Sequence, residues 1–113
     1  MGKLLDEFNS YRERMNKRIL AEDNKVLKRL YSVDTLTYQP GALDVRAKEM
    51  MGLAASMVLR CDDCVKYHII KCRENGVTKE QFFEIFSLAY TVAGSIVVPH
   101  LRRAVEFLDD MGI

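Results

Sequence analysis

The chain has 113 residues, of which 49% are hydrophobic and 29% charged, and this size and composition suit one compact domain with a modest core. Its 17 Lys and Arg residues nearly balance its 16 Asp and Glu residues, which argues against a polyanionic partner such as nucleic acid or an anionic membrane. The apolar runs are shorter than the ~20 residues that span a bilayer, and the charged N-terminus lacks a signal-peptide pattern. The three cysteines are an odd number that does not suit a secreted disulfide framework. We therefore expect a single cytoplasmic domain over residues 1–113 whose cysteines have a redox or metal-binding role.

The N-terminal third has apolar residues at intervals of three and four, a pattern typical of amphipathic helices. A break near residues 21–24 is expected to separate a helix that begins near Leu4 from a second short helix, and residues 32–41 are predicted to form a loop. We interpret residues 1–42 as a helical extension that packs over the core or against another subunit. The core itself is predicted at residues 43–111.

The core shows clear signals for helix starts and stops. Asp44 is placed to cap a mostly buried helix over residues 45–59. Gly76 suits the left-handed position that ends the following helix, and Thr78-Lys79-Glu80-Gln81 fits a capping box that starts its expected antiparallel partner. Pro99 suits the first turn of a last helix. Since no strand alternation of useful length is present, we expect an all-α, single-domain bundle of about five to six helices.

The chemistry of the sequence is concentrated in one motif, a C-x-x-C pair, Cys61 and Cys64, followed by His68. Positions i, i+3 and i+7 project from one face of an α-helix, so these three side chains form a single stripe. Asp62 and Asp63 are typical first-turn residues, which favours a helix that begins at the motif. A helix N-terminus or an imidazolium lowers the pKa of a cysteine thiol, whereas the two neighbouring aspartates oppose thiolate formation. The motif therefore indicates reactive cysteine chemistry.

Three interpretations of the C-x-x-C pair are open: a redox dithiol, half of a zinc site, or coincidence in a core helix. Zinc would need two more ligands, and the local ones, His68 and Cys72, would place all four donors on one helical face, which is a poor tetrahedron. A thioredoxin fold is disfavoured because a helix, not a strand, precedes the motif. We favour the redox dithiol. The alternative is a non-catalytic helical assembly module whose cysteines sense oxidation or bind zinc.

Three further residues need a place in the fold. Glu49 lies in an otherwise apolar stretch, and periodicity alone places it on the solvated edge beside Lys48, or in an ion pair with Arg46 or Lys48. Cys72 is expected in the core, because cysteine is among the most buried residue types. His100 could reach the site from the last helix, but a histidine beside a helix start is expected at the surface or an interface. Neither Cys72 nor His100 is predicted to be catalytic.

Over roughly residues 43–111 the chain resembles the carboxymuconolactone decarboxylase superfamily, in particular its alkylhydroperoxidase D-like branch. The matching pattern is a glutamate twelve residues before the first cysteine of C-x-x-C-x-x-x-H, here Glu49, Cys61, Cys64 and His68. The resemblance implies an all-helical enzyme without a cofactor, whose dithiol reduces a hydroperoxide or disulfide and is re-reduced by an external thiol or lipoyl-type donor. It also implies that Glu49 and His68 relay the proton of Cys64, the peroxidatic nucleophile, while Cys61 resolves the sulfenic acid.

The chain departs from the alkylhydroperoxidase at one position, because that enzyme has a histidine where this chain has Asp63. The departure implies an altered proton relay. Decarboxylase members of the superfamily lack the cysteine pair, so the intact C-x-x-C argues against lactone decarboxylation.

Apolar residues outnumber what one small bundle can bury, most clearly at Phe82-Phe83 and Ile96-Val97-Val98. Self-association would cover the excess surface. The resemblance implies closed rings of dimers, so we expect a homo-oligomer, with a hexamer favoured over a trimer or dimer.

Overall fold

The computed structural model describes residues 2–113, so the start of the predicted domain at Met1 lies outside the described residues. Residues 2–113 form six α-helices and no strand, which confirms the all-α prediction. The helices are α1 (Lys3–Ala21), α2 (Lys25–Thr37), α3 (Val45–Val58), α4 (Asp62–Glu74), α5 (Lys79–Ala93) and α6 (Val98–Asp110), with a 3-10 turn at Ser95–Val97. None of the helices within residues 2–113 is both long and apolar enough to cross a bilayer.

The predicted helix boundaries in the core are confirmed by the capping contacts. The Asp44 side chain accepts a hydrogen bond of 2.7 Å from the Ala47 N–H at the start of α3. Thr78 and Gln81 form both bonds of a capping box at the start of α5. Gly76, just after α4, has a φ of +80°, which a glycine adopts without steric cost. Each boundary thus follows from one or two local residues.

The predicted loop at residues 32–41 is wrong over its first half, because α2 continues to Thr37. The hydroxyls of Ser32, Thr35 and Thr37 each donate to the carbonyl four residues earlier, at distances of 3.1, 3.1 and 2.7 Å. These bonds keep the polar side chains compatible with a helix, although the residue types favour turns. The helix ends shortly before Pro40, which lacks the N–H that a helix needs.

The centre of the bundle is α3, which packs against α4 on one side and α5 on another. The predicted antiparallel pairing of α4 with α5 is therefore wrong, since these helices have at most slight direct contact. Because α3 is apolar over most of its surface, it can serve two neighbours at once. Its Leu53 and Met57 are fully buried in a core that also contains Ile69, Phe82, Phe86 and Phe107.

The two N-terminal helices behave differently. Helix α1 packs against α6, where the Phe8 and Phe107 rings meet edge to face with centroids 5.9 Å apart. Helix α2 has no buried residue, and its apolar side chains Val26, Val33 and Leu36 are each more than half exposed. The prediction of a layer over the core is thus confirmed for α1, whereas α2 leaves an apolar surface uncovered.

Candidate active site

Cys61 and Cys64 lie at the N-terminal end of α4. Cys61 is the N-cap residue, and its Sγ accepts a hydrogen bond of 3.3 Å from the Cys64 N–H. The two cysteines form a disulfide with a Cα–Cα distance of 5.2 Å. Cys64 is exposed and Cys61 is partly buried, so Cys64 is the more accessible of the two residues. The prediction that a helix begins at this motif is confirmed.

Glu49 and His68 form a buried pair behind the cysteines. Glu49 Oε1 lies 2.8 Å from His68 Nδ1, and the two residues are only 3% and 9% exposed. The placement of Glu49 on the solvated edge, or paired with Arg46 or Lys48, is therefore wrong. Periodicity within α3 could not reveal a partner that lies on the next helix. Because the carboxylate accepts the Nδ1 proton, Nε2 of a neutral His68 has a free lone pair and can act as a base.

Gly52 allows the His68 ring to lie against α3. A Cβ at this position would lie 2.8 Å from His68 Cε1 and 2.8 Å from the Tyr38 hydroxyl oxygen, closer than a Cβ approaches a non-bonded heavy atom. The Tyr38 and Tyr67 rings flank His68 with centroid distances of 5.6 and 5.3 Å. Gly52 was not predicted from the sequence as a site residue. A glycine inside a segment that otherwise strongly favours a helix does, however, indicate that another group packs closely against the backbone there.

The partly buried Tyr38 and Tyr67 hydroxyls and the buried Cys72 thiol stay protonated at neutral pH. Burial raises the pKa of the Tyr38 hydroxyl, and the negative charge of Glu49 adds to this effect. Burial also raises the pKa of Tyr67 and outweighs the positive charge of Lys71. Cys72 is fully buried, as predicted, and burial together with the charge of Glu49 raises its pKa to about 12. Cys72 is therefore an inert core thiol.

A cleft of about 240 Å³ opens over Cys64 and His68. The remaining walls come from α1, α2 and the first turns of α4, through Arg12, Asp34, Asp63 and Tyr67. The Arg12 guanidinium lies 4.4 Å from the Tyr67 ring centroid, in a cation–π contact. Sequence analysis nominated no residue of the N-terminal third, and no local pattern marks Arg12 or Asp34, because only the packing of α1 and α2 brings them here.

A second ion-pair group links the first turn of α4 to α6. Asp62 Oδ1 lies 2.8 Å from His100 Nδ1, and the Arg103 Nε donates to Asp62 Oδ2 over 2.8 Å. His100 thus lies beside the cysteine motif with its side chain still 17% exposed, and its place at the surface or an interface stays a prediction. Burial raises the pKa of Asp62, but the hydrogen bonds from His100 and Arg103 outweigh it, so the pKa of this carboxyl is lowered.

The arrangement suits thiol–disulfide chemistry supported by proton transfer. It combines an accessible sulfur, a second sulfur within bonding reach, and an imidazole whose tautomer is set by a buried carboxylate. Within the described residues, no three His, Cys, Asp or Glu side chains are grouped so as to hold a metal ion.

Comparison with known proteins agrees with this description. Residues 24–107 match the sequence profile of the carboxymuconolactone decarboxylase family. A Thermotoga maritima member of that family, described with a suggested part in an antioxidative response, is 46% identical, with a TM-score of 0.88 over 93% of this chain and 89% of that chain. The "Uncharacterized protein 4 in cox locus" of Paracoccus denitrificans is 28% identical over 71% of this chain and 72% of its own length.

One relative has an assigned name, the alkyl hydroperoxide reductase AhpD of Corynebacterium kroppenstedtii. It is 44% identical over 46 residues, which are 41% of this chain and 26% of that protein. The shared stretch thus spans about a quarter of the named enzyme. The profile match covers most of the chain, and the 46% identical structure has the same fold over nearly its whole length. The chain therefore belongs to the carboxymuconolactone decarboxylase family.

Proposed function

We propose that this protein is a thiol-dependent peroxidase and disulfide oxidoreductase that works through Cys61 and Cys64. The main support is the position of Cys64, which is exposed in the cleft and lies one helical turn before His68, itself bonded to the buried Glu49. Residues i and i+4 are neighbours on a helix, so Cys64 and His68 share one face of α4, which supports proton transfer from the thiol to the imidazole.

The first step is attack on the peroxide. His68 takes the proton of Cys64, and the thiolate attacks the outer oxygen of a hydroperoxide ROOH. The O–O bond breaks, the sulfur becomes a sulfenic acid, and the leaving alkoxide takes the proton from His68 to depart as the alcohol ROH. Glu49 stabilises the transient imidazolium because its carboxylate lies 2.8 Å from Nδ1.

The second step restores a stable sulfur. The thiol of Cys61 attacks the sulfenic sulfur of Cys64, which forms the Cys61–Cys64 disulfide and releases water. An external dithiol or lipoyl-type donor then supplies two electrons and two protons, which returns both cysteines to thiols. The 5.2 Å Cα–Cα distance of the bonded pair lies within the usual range for disulfides. The assignment of Cys61 as the resolving residue is supported by its lower exposure.

The family supports the same proposal at a coarser level. The relatives include a protein named for alkyl hydroperoxide reduction and one described with a suggested antioxidative part. A redox role is the property that those two descriptions share.

Turnover tests the proposal. Wild-type protein with dithiothreitol should consume cumene hydroperoxide catalytically, whereas Cys64→Ser should lose this activity. Cys72→Ala is the matched control, because Cys72 is fully buried and has no part in the cycle, so this variant should retain the activity. Failure of the wild type to consume hydroperoxide or a disulfide, or equal rates in Cys64→Ser, would contradict the proposal. A single stoichiometric oxidation without turnover would favour the non-catalytic sensing module instead.

We further propose that the protein is a cytoplasmic homo-oligomer, with a hexamer favoured. The uncovered apolar face of α2 supports assembly, as does an apolar groove of about 400 Å³ between α3 and α5. Phe83 and Ile96 are 42% and 52% exposed, although their neighbours Phe82 and Val97 are fully buried. Light scattering after size exclusion tests this, and a monodisperse species near 13.0 kDa would contradict it.

A further inference from the structure

The group formed by Asp62, His100 and Arg103 has no part in the proton transfers described above. Asp62 occupies the first position of α4, directly after Cys61. Both of its carboxylate oxygens are bonded to α6, one to His100 and one to Arg103, at 2.8 Å each. Its neighbour Asp63 is exposed and has no ion pair among residues 2–113. Only one of the two aspartates between the cysteines is therefore held by a second helix.

The hydrogen-bond pattern fixes the proton on His100. Nδ1 faces an anionic carboxylate at 2.8 Å, and an unprotonated nitrogen there would be repelled, so Nδ1 donates its proton to Asp62. The Arg103 Nη2 lies 3.2 Å from the same nitrogen and is then only a close neighbour. Arg103, whose guanidinium is always charged, is the permanent counter-charge of Asp62.

The charge of Asp62 matters because of its place in the chain. A carboxylate beside Cys61 at the start of α4 disfavours a second negative charge nearby, and a thiolate is such a charge. A guanidinium bonded to that carboxylate cancels much of its field. Ionisation of either cysteine of the reduced dithiol is therefore easier than it would be next to an unpaired aspartate, and the reduced form gains stability in proportion to its thiolate fraction.

We propose that Arg103, together with His100, is a positioning residue for the dithiol: it holds Asp62 on α6 and offsets its charge, and thereby sets the reduction potential of the Cys61–Cys64 pair. The inference rests on the proposed function in that it takes these cysteines as the working dithiol. The potential is measured without peroxide, so the two can fail separately.

Other charges around the cysteines are the same in every variant needed for the test. On α4 they are His68 and Asp63, and Glu49 on α3 acts through His68. Arg12 on α1 and Asp34 on α2 line the cleft in front of Cys64. Differences between variants at one pH therefore report on the Asp62–Arg103 pair.

The test is redox equilibration with dithiothreitol at one fixed pH above about 8.5, where an ordinary cysteine thiol is ionised. Dithiothreitol gives two electrons and two protons, its sulfurs close into a ring disulfide, and the Cys61–Cys64 bond opens to two thiols. We expect Arg103→Gln to lower the equilibrium constant for reduction about three- to tenfold, as one lost charge pair near the surface allows. This corresponds to a potential more negative by about 15–30 mV, at 29.6 mV per tenfold. Alkylation of reduced Cys64 by iodoacetamide should slow by a similar factor.

Three further variants identify the cause. Arg102→Gln, at the neighbouring exposed position of α6, removes the same charge without touching Asp62 and should leave the potential unchanged. Asp62→Asn should shift the potential in the opposite direction to Arg103→Gln. The double variant should return close to wild type, because both charges are gone. Arg103→Lys keeps the charge without the fork geometry and should lie nearer to wild type than Arg103→Gln.

The outcomes separate clearly. Equal potentials for Arg103→Gln and Arg102→Gln would overturn the inference, as would a shift of Asp62→Asn in the same direction as Arg103→Gln. If Arg103→Gln loses its helical circular dichroism signal, this variant is misfolded, and the potentials of Asp62→Asn and Arg103→Lys then decide whether the inference holds. A protein that shows the expected shifts but no peroxide turnover would refute the proposed function and leave this inference standing. Peroxide turnover without the expected shifts in potential would refute this inference and leave the proposed function standing.

Discussion

The substitution Gly52→Ala tests the packing of the site, because helix propensity predicts a more stable protein and steric overlap with His68 predicts a less stable one. In the interior of an exposed helix, alanine is more stable than glycine by about 0.8–1 kcal/mol. Here the new Cβ would lie 2.8 Å from His68 Cε1, 3.0 Å from His68 Nδ1 and 2.8 Å from the Tyr38 hydroxyl. The Tyr38 side chain can move its outer end, but the His68 ring is held by Glu49 and must shift as a whole.

The expected size follows from these contacts. Overpacking a well-packed site costs about 1–3 kcal/mol. Weakening the 2.8 Å bond between His68 and Glu49 leaves a buried carboxylate poorly satisfied, which costs about 1–3 kcal/mol more. After the gain in helix propensity of about 0.8–1 kcal/mol is subtracted, we expect a net loss in the free energy of unfolding of about 1–5 kcal/mol. Displacing His68 should also slow peroxide reduction about tenfold or more, since general-base catalysis contributes about 10²–10⁴.

Denaturant unfolding at fixed protein concentration and a steady-state peroxidase assay measure both effects. Met51→Ala is the matched control, because it places alanine at the neighbouring position of α3, where the side chain is 54% exposed. It should be close to wild type in stability and rate. A Gly52→Ala protein that is more stable than wild type by about 1 kcal/mol and fully active would refute the close packing of His68 on α3.

Three further outcomes follow from single contacts. Glu49→Gln keeps a hydrogen-bond acceptor for His68 but removes the negative charge. The reaction of the reduced protein with hydroperoxide, measured by stopped flow, should therefore slow about ten- to a hundredfold. A rate within twofold of wild type would exclude the proton relay. Folding raises the pKa of the Cys72 thiol from 9.0 to about 12. The protonated thiol therefore contributes fully to the free energy of unfolding below about pH 9, and this contribution is lost as the pH rises from 9 towards 12. Relative to Cys72→Ala, the free energy of unfolding should fall by about 2 kcal/mol from about pH 8.5 to about pH 10.5, and a flat difference would contradict this. Thr78→Ala should lower the free energy of unfolding by about 1 kcal/mol in denaturant titrations, and no change would show that the cap is not needed.

The parts of the fold that the sequence predicted correctly are those that depend on neighbours in the chain. The capping bonds at Asp44 and Thr78 join residues three positions apart, and Gly76 meets a backbone requirement of its own turn. The start of α4 at the cysteine motif is of the same kind. Such signals need no knowledge of the tertiary structure, which explains why the core boundaries are close to those predicted.

What the sequence missed at the site depends on contacts between distant residues. Glu49 finds His68 19 residues later, and the periodicity of α3 cannot show that its polar edge faces another helix. His100 meets Asp62 across 38 residues, so the sequence allowed it to reach the site but could not show its partner. The resemblance to a known family, by contrast, did group Glu49 with His68, because that pattern records the spatial contact rather than the local one.

The central claim is that Cys64 attacks the peroxide and Cys61 resolves it, and trapping the sulfenic acid tests this most directly. Reduced protein is treated with one equivalent of cumene hydroperoxide in the presence of dimedone, and the labelled residue is identified by mass spectrometry. We expect dimedone on Cys64 in the Cys61→Ser variant, no labelled residue in Cys64→Ser, and a Cys61–Cys64 disulfide in wild type. Dimedone on Cys61 in Cys64→Ser at the rate seen for Cys64, or no oxidation of either cysteine in wild type, would contradict the account.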